Sequence, residues 1–193
     1  MSKGPDIRLS LSENFGSEEH SEAEFLFKTF GNVDTKTYFR AAYDPLALFA
    51  IITVTFAVSS FAQGFFGKMG EDGYEQFKKG LATLLTRART PIEKETTLEY
   101  VFPYDGLEIH AFLETRKTEI VERAQTESKQ ITNLLEQAKA TDKLPLDADH
   151  IDLQFDTSTM RWKFTAAMGL SRTHKNFAKF KFNDSTDSWE KIS

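Results

Sequence analysis

Pro45-Leu-Ala-Leu-Phe-Ala-Ile-Ile-Thr-Val-Thr-Phe-Ala-Val-Ser-Ser-Phe-Ala-Gln-Gly-Phe-Phe-Gly67 is an uncharged run of 23 residues set between Asp44 and Lys68. How it folds decides the architecture. As a helix rising about 1.5 Å per residue, Leu46 to Phe66 would extend about 31 Å, enough to cross a hydrocarbon layer of about 30 Å. Eleven residues of that span are Leu, Ile, Val or Phe. Thr53, Thr55, Ser59, Ser60, Gln63 and Gly64 dilute them, which makes insertion marginal. Ala50, Ala57 and Gly64 recur every seven residues and would form a seam of small side chains against a partner helix. We read residues 46–66 as one strongly apolar helix, either enclosed in a protein core or inserted in a membrane.

Working outward, Ile7, Leu9 and Leu11 alternate with polar residues as in a half-buried strand, and the start lacks the apolar stretch of a signal peptide. Ser21 and Glu24 form a capping-box pattern ahead of Phe25 to Phe30, which predicts a short helix closed by Gly31, with a strand as the alternative. Residues 71–89 predict an amphipathic helix. Its apolar face is Tyr74, Phe77, Leu81, Leu84, Leu85 and Ala88, with Arg87 and Arg89 complementing the dipole of its last turn. Thr97 to Phe102 and Leu107 to Leu113 flank Asp105-Gly106, a strong hairpin signal. Ile120, Ala124, Ile131, Leu134, Leu135 and Ala138 mark one helix over 117–140.

The last third reads as strands. Pairing Asp156 with Arg161 places Gln154 opposite Lys163 and Phe155 opposite Trp162, so a single register satisfies both faces of a hairpin. Phe180 and Phe182 alternate with Lys179 and Lys181, and a polar tail follows to Ser193. These elements predict an α+β chain folded as one domain over residues 1–193. Its antiparallel sheet has about five or six strands, two amphipathic helices and the apolar helix.

Composition narrows the chemistry. The chain of 193 residues is 40% hydrophobic and 27% charged, which suits a globular core rather than a disordered tail. It contains no cysteine, so disulfides, thiolate metal sites and cysteine nucleophiles are excluded. The net charge of −5 conceals a sorting. Residues 1–159 carry 17 cationic and 26 acidic side chains, residues 160–182 carry six and none, and residues 183–193 carry one and three. The basic stretch holds Arg161, Lys163, Arg172, Lys175, Lys179 and Lys181, interleaved with aromatics. That is an anion-facing surface for lipid headgroups, nucleic acid or an acidic protein, unless acids elsewhere neutralise it.

Catalytic signatures are missing: no phosphate-binding glycine loop, no Gly-x-Ser-x-Gly elbow, no His-Glu-x-x-His helix. The densest acidic group is Asp147, Asp149, His150, Asp152 and Asp156. It could hold a divalent ion, but strand placement reads His150, Asp152 and Asp156 instead as cross-strand partners of Arg161 and Lys163, and Asp147 and Asp149 as a loop pair that needs no ligand. The sequence therefore assigns no catalytic residue, no metal ligand and no cofactor. An enzyme would require a pocket in which His110 or His150 meets carboxylates.

Leu46 to Phe66, Gly67-Lys-Met-Gly-Glu-Asp-Gly-Tyr74, the hairpin around Asp105-Gly106 and the span Asp156 to Trp162 follow one another in an order that resembles small accessory domains of bacterial effector and defence systems. The resemblance implies an adaptor, regulator or immunity-type protein, or a membrane-acting partner, and carries over no catalytic residue. The expectation is a non-enzymatic protein acting through a protein partner. The alternatives are an effector inserting residues 45–67 into a membrane and a polyanion-binding protein using residues 160–182. A cytoplasmic location is expected, membrane-associated if the apolar run inserts.

Overall fold

The computed structural model describes residues 7–28, 31–38, 50–56, 71–87, 96–170 and 177–192. Among the described residues nine strands form one mixed sheet in the order β2-β1-β3-β4-β5-β6-β7-β8-β9. They are β1 (Ile7–Ser12), β2 (Val33–Tyr38), β3 (Ala50–Phe56), β4 (Thr96–Tyr104), β5 (Leu107–Glu114), β6 (His150–Asp156), β7 (Arg161–Leu170), β8 (Phe177–Asn183) and β9 (Ser188–Lys191). Four helices among the described residues interrupt them: α1 (Ser17–Lys28), α2 (Glu71–Thr86), α3 (Thr118–Thr126) and α4 (Lys129–Ala140). The α+β class holds, while the sheet is larger than expected and not purely antiparallel.

The largest correction falls on the uncharged run. Ala50–Phe56 is a strand, not part of a helix, with Ala50, Ile52, Val54 and Phe56 buried and the residues between them half-exposed. Ile51 to Thr55 are all β-branched, which favours extended backbone and a pleated, half-buried surface. Of the seam residues, Ala50 faces the core from a strand, while Ala57 and Gly64 lie outside the described residues, as do 46–49 and 57–66. Among the described residues no helix is long and apolar enough to cross a membrane.

Three strand pairs are parallel, β1 with β2, β3 with β4 and β5 with β6. Each is connected through helix, because a parallel partner can be reached only by a crossover. Antiparallel hairpins join β4 to β5 and β6 to β7. Asp105 and Gly106 both have positive φ, 50° and 83°, as a type I′ turn requires. The β6–β7 register is the expected one from Asp156↔Arg161 to Gln154↔Lys163. It then slips at a bulge, so that Leu153 faces Phe164 while Asp152 faces Ala166. The polar tail contains a further strand, β9, whose Trp189 pairs with Phe182.

The helices share one face of the sheet. Tyr100 Oη donates to Gln125 Oε1 on α3, Trp162 Nε1 donates to the Ala124 carbonyl, and Thr96 Oγ1 donates to the Leu85 carbonyl on α2. Phe27 of α1 meets Phe77 of α2 edge-on, their centroids 5.3 Å apart. One core runs through all of them, from Ile7 and Leu9 through Leu81, Leu98 and Ile109 to Leu153 and Trp162.

Three details depart from the sequence reading. α1 begins at Ser17, where Glu19 accepts from the Gly16 N–H as the returning half of a capping box one turn earlier than expected. α2 has no basic residue in its last turn, and Arg87, just beyond it, pairs with Glu22 of α1 at 2.8 Å. The predicted helix over 117–140 is two helices. The apolar stripe lapses between Ala124 and Ile131, and there Ser128 Oγ donates to the Gln125 carbonyl, a local bond that competes with helix continuation.

Candidate metal centre

Strand alternation sends every second residue of β3 to β6 away from the helices. Register then determines which of them meet. Thr53 lies opposite Glu99, Glu108 opposite His150, and His110 opposite Asp152. These six residues from four adjacent strands form one connected polar cluster.

From the β3 side, Thr53 Oγ1 donates to Glu99 Oε2 at 2.7 Å, and Glu99 Oε1 holds His110 Nδ1 at 2.7 Å. The other ring nitrogen, His110 Nε2, lies 2.9 Å from Glu108 Oε1. That same oxygen is 3.9 Å from His150 Nδ1, and His150 Nε2 is tied to Asp152 Oδ1 at 2.6 Å. The two imidazoles face each other with centroids 4.0 Å apart. The bulge between Asp152 and Leu153 sits inside the cluster, where Thr165 Oγ1 donates to the Asp152 carbonyl at 3.2 Å. Glu99, His110, His150 and Asp152 are each less than one-fifth exposed, whereas Glu108 is 61% exposed.

The electrostatics follow from this packing. Burial works against the charge on His110, but the hydrogen bonds and charges of Glu99 and Glu108 outweigh it and raise its pKa above the ordinary imidazole value. Burial likewise opposes ionisation of Glu99. Its hydrogen bonds with His110 and Thr53, with the charges of both histidines, prevail and hold the carboxyl below the usual range. The signs predict how metal-free protein responds to pH. A depressed Glu99 stabilises the fold above its unfolded pKa near 4.5, and this is lost as pH falls through the folded value. A raised His110 stabilises below its unfolded pKa near 6.5, and this is lost as pH rises through the folded value. The stability difference between the wild type and Glu99→Gln, from urea unfolding in chelator, is therefore expected to peak between those values and shrink on both sides. A difference that stays flat with pH would contradict this.

Glu108 Oε1, His110 Nε2 and His150 Nδ1 converge, as ligand atoms of the three residues lie within 4.8 Å of one another. Zinc bonds of about 2.0–2.1 Å in tetrahedral geometry separate neighbouring ligand atoms by about 3.4 Å, midway between the two distances to Glu108. The remote nitrogen of each imidazole is held by its own carboxylate, Glu99 for one and Asp152 for the other. Such outer carboxylates fix the tautomer and aim of metal-binding histidines.

No family model, curated protein or solved structure matches the chain.

The cluster overlaps the sequence reading only partly. Of the acidic group at 147–156, His150 and Asp152 join it. Asp156 instead caps the turn by accepting from Ser158 and pairs with Lys163 at 3.2 Å, which holds its carboxyl well below the usual range. Asp147 and Asp149 lie in the loop before β6. His110 does meet carboxylates, but Glu99 and Glu108 were not singled out beforehand.

The basic residues divide as well. Lys163 is engaged by Asp156 and Asp184, the latter at 3.5 Å. Arg161, Lys179 and Lys181 are exposed, while Phe180 and Phe182 pack against the core. Arg172 and Lys175 lie outside the described residues.

Proposed function

We propose that this protein binds a borderline divalent metal ion, zinc by its ligand chemistry, through Glu108 Oε1, His110 Nε2 and His150 Nδ1. One observation carries the reading: two imidazoles aim their inner nitrogens at a shared carboxylate while separate carboxylates anchor their outer nitrogens. Two nitrogen ligands and one oxygen suit zinc and its neighbours. Calcium and magnesium prefer all-oxygen surroundings. Three protein ligands leave a fourth position for water or an incoming group. The expected role as a non-enzymatic regulator acting through a protein partner attaches at that position, because a partner's side chain can complete the coordination.

Calorimetric titration of chelator-treated protein with zinc chloride is expected to show one ion per chain. His150→Ala should weaken binding by more than about 100-fold, and Glu99→Gln, which alters only an anchoring residue, by about 10- to 100-fold. Absence of binding to the wild type, or undiminished binding by His150→Ala, would overturn the reading.

A further inference from the structure

Beyond β6 the antiparallel registers carry the face of the histidine cluster outward to β8. His150 lies opposite Met168 and Met168 opposite Lys179, while Asp152 lies opposite Ala166 and Ala166 opposite Lys181. Residues directly opposite one another project to the same side of a sheet, so both lysines stand on the face that holds the cluster. Lys179 continues the row of Glu108 and His150, and Lys181 the row of His110 and Asp152. Two strand spacings place each lysine backbone about 10 Å from its counterpart on β6. An extended lysine stem and one bound oxyanion together span such a gap.

The surroundings leave both cations available. β7, which lies between them and the cluster, presents Ala166 and Met168 in these rows, neither of them charged. Lys179 and Lys181 are exposed, and among the described residues neither takes part in an ion pair, unlike Lys163, which Asp156 and Asp184 engage. Glu190, opposite Lys181, accepts instead from Asn183 Nδ2. The backbone beneath them is fixed, because β8 is paired on both sides and the Lys179 carbonyl accepts from Ile192 N–H at 2.9 Å.

Counting oxygens selects the anion. A metal with three protein ligands takes one oxygen in its fourth position, and two ammonium groups call for two more. A carboxylate has only two oxygens. A phosphate monoester has three terminal oxygens and carries about −1.5 to −2 charge at neutral pH, and lysine is a common phosphate ligand.

We infer that the fourth position of the centre takes an oxygen of a phosphate monoester, whose other terminal oxygens accept from Lys179 Nζ and Lys181 Nζ. The inference rests on the metal reading and supplies the group that enters its open position. Such a group can arrive free in solution or as a phosphorylated side chain of the protein partner.

The probe is inorganic phosphate, titrated calorimetrically into the full chain with one equivalent of zinc and, in parallel, into chelator-treated chain. Phosphate is expected to bind the loaded chain at least about 10-fold more tightly than the metal-free one. Replacing both lysines, Lys179→Gln with Lys181→Gln, should weaken phosphate binding by about 10- to 100-fold, and Lys179→Arg with Lys181→Arg should retain it. Zinc affinity in phosphate-free buffer should stay within about 3-fold of wild type for both pairs. N-acetyl-O-phosphoserine amide separates the two sources: tighter binding than inorganic phosphate assigns a partner's side chain, and equal or weaker binding assigns free phosphate. If zinc binds but phosphate does not at concentrations up to about 10 mM, the phosphate inference is refuted and the metal reading stands. Phosphate binding to the metal-free chain, or to the glutamine pair, as tight as to loaded wild type would refute it as well. A chain that takes up no zinc would overturn both.

Discussion

Gly169→Ala is expected to destabilise the fold by about 3–5 kcal/mol, combining overpacking with two lost backbone hydrogen bonds. A Cβ at this position would stand 1.9 Å from the Asp147 carbonyl oxygen and 2.8 Å from both Ala148 Cα and Asp149 N. The obstructing atoms are backbone, so no side chain can swing aside. Nor is the loop free to retreat: Asp149 N donates to the Met168 carbonyl at 3.0 Å, and the Asp149 carbonyl accepts from Glu108 N at 2.8 Å. Asp149 thus clips β7 to β5, directly beside Glu108 and His150, two of the proposed metal ligands. Thermal unfolding should drop by about 10 °C in a chain of this length, and zinc binding should weaken in the same variant. Gly106→Ala provides the contrast. Its φ is +83° but nothing lies within 4 Å of an added Cβ, so the cost should be only about 1 kcal/mol of backbone strain. Equal losses for the two variants would contradict this account.

Alanine substitution along β3 should show a period of two. Ile52 is wholly buried between β1 and β4, so Ile52→Ala should cost about 2–5 kcal/mol by opening a cavity. Ile51→Ala, on the half-exposed face, should cost less than about 1 kcal/mol. Val54→Ala should resemble the first, and Thr55→Ala the second. In a helix, residues 52 and 54 would point to different sides. Urea midpoints that rise and fall with a period near 3.6 would restore the helical reading.

The hairpins and the β6–β7 register were legible because their information is local: Asp105-Gly106 permits the turn, and alternation around Phe155 and Trp162 admits one pairing. The nature of β3 was also written locally, in five successive β-branched residues, but the length of the uncharged run pointed to a helix. Trp189 gave too little pattern to mark β9, being one large apolar residue among polar neighbours. The metal centre was illegible for another reason. Glu108-x-His110 and His150-x-Asp152 each place two polar side chains on one face, but only the parallel register of β5 and β6 overlays them. A sheet expected to be antiparallel offered no reason to align segments separated by two helices.

That parallel pairing also governs when the centre can exist. Two of the three proposed ligands arrive on β5 and the third on β6, with α3 and α4 intervening. A hairpin would bring its ligands together early, with little chain to close. Here the crossover must be packed before the third ligand takes its place, a late event by loop-closure entropy. A chain stalled before β6 has two adjacent ligands and no centre. The ion would then bind only the completed sheet and stabilise it by mass action, so that occupancy certifies a finished molecule.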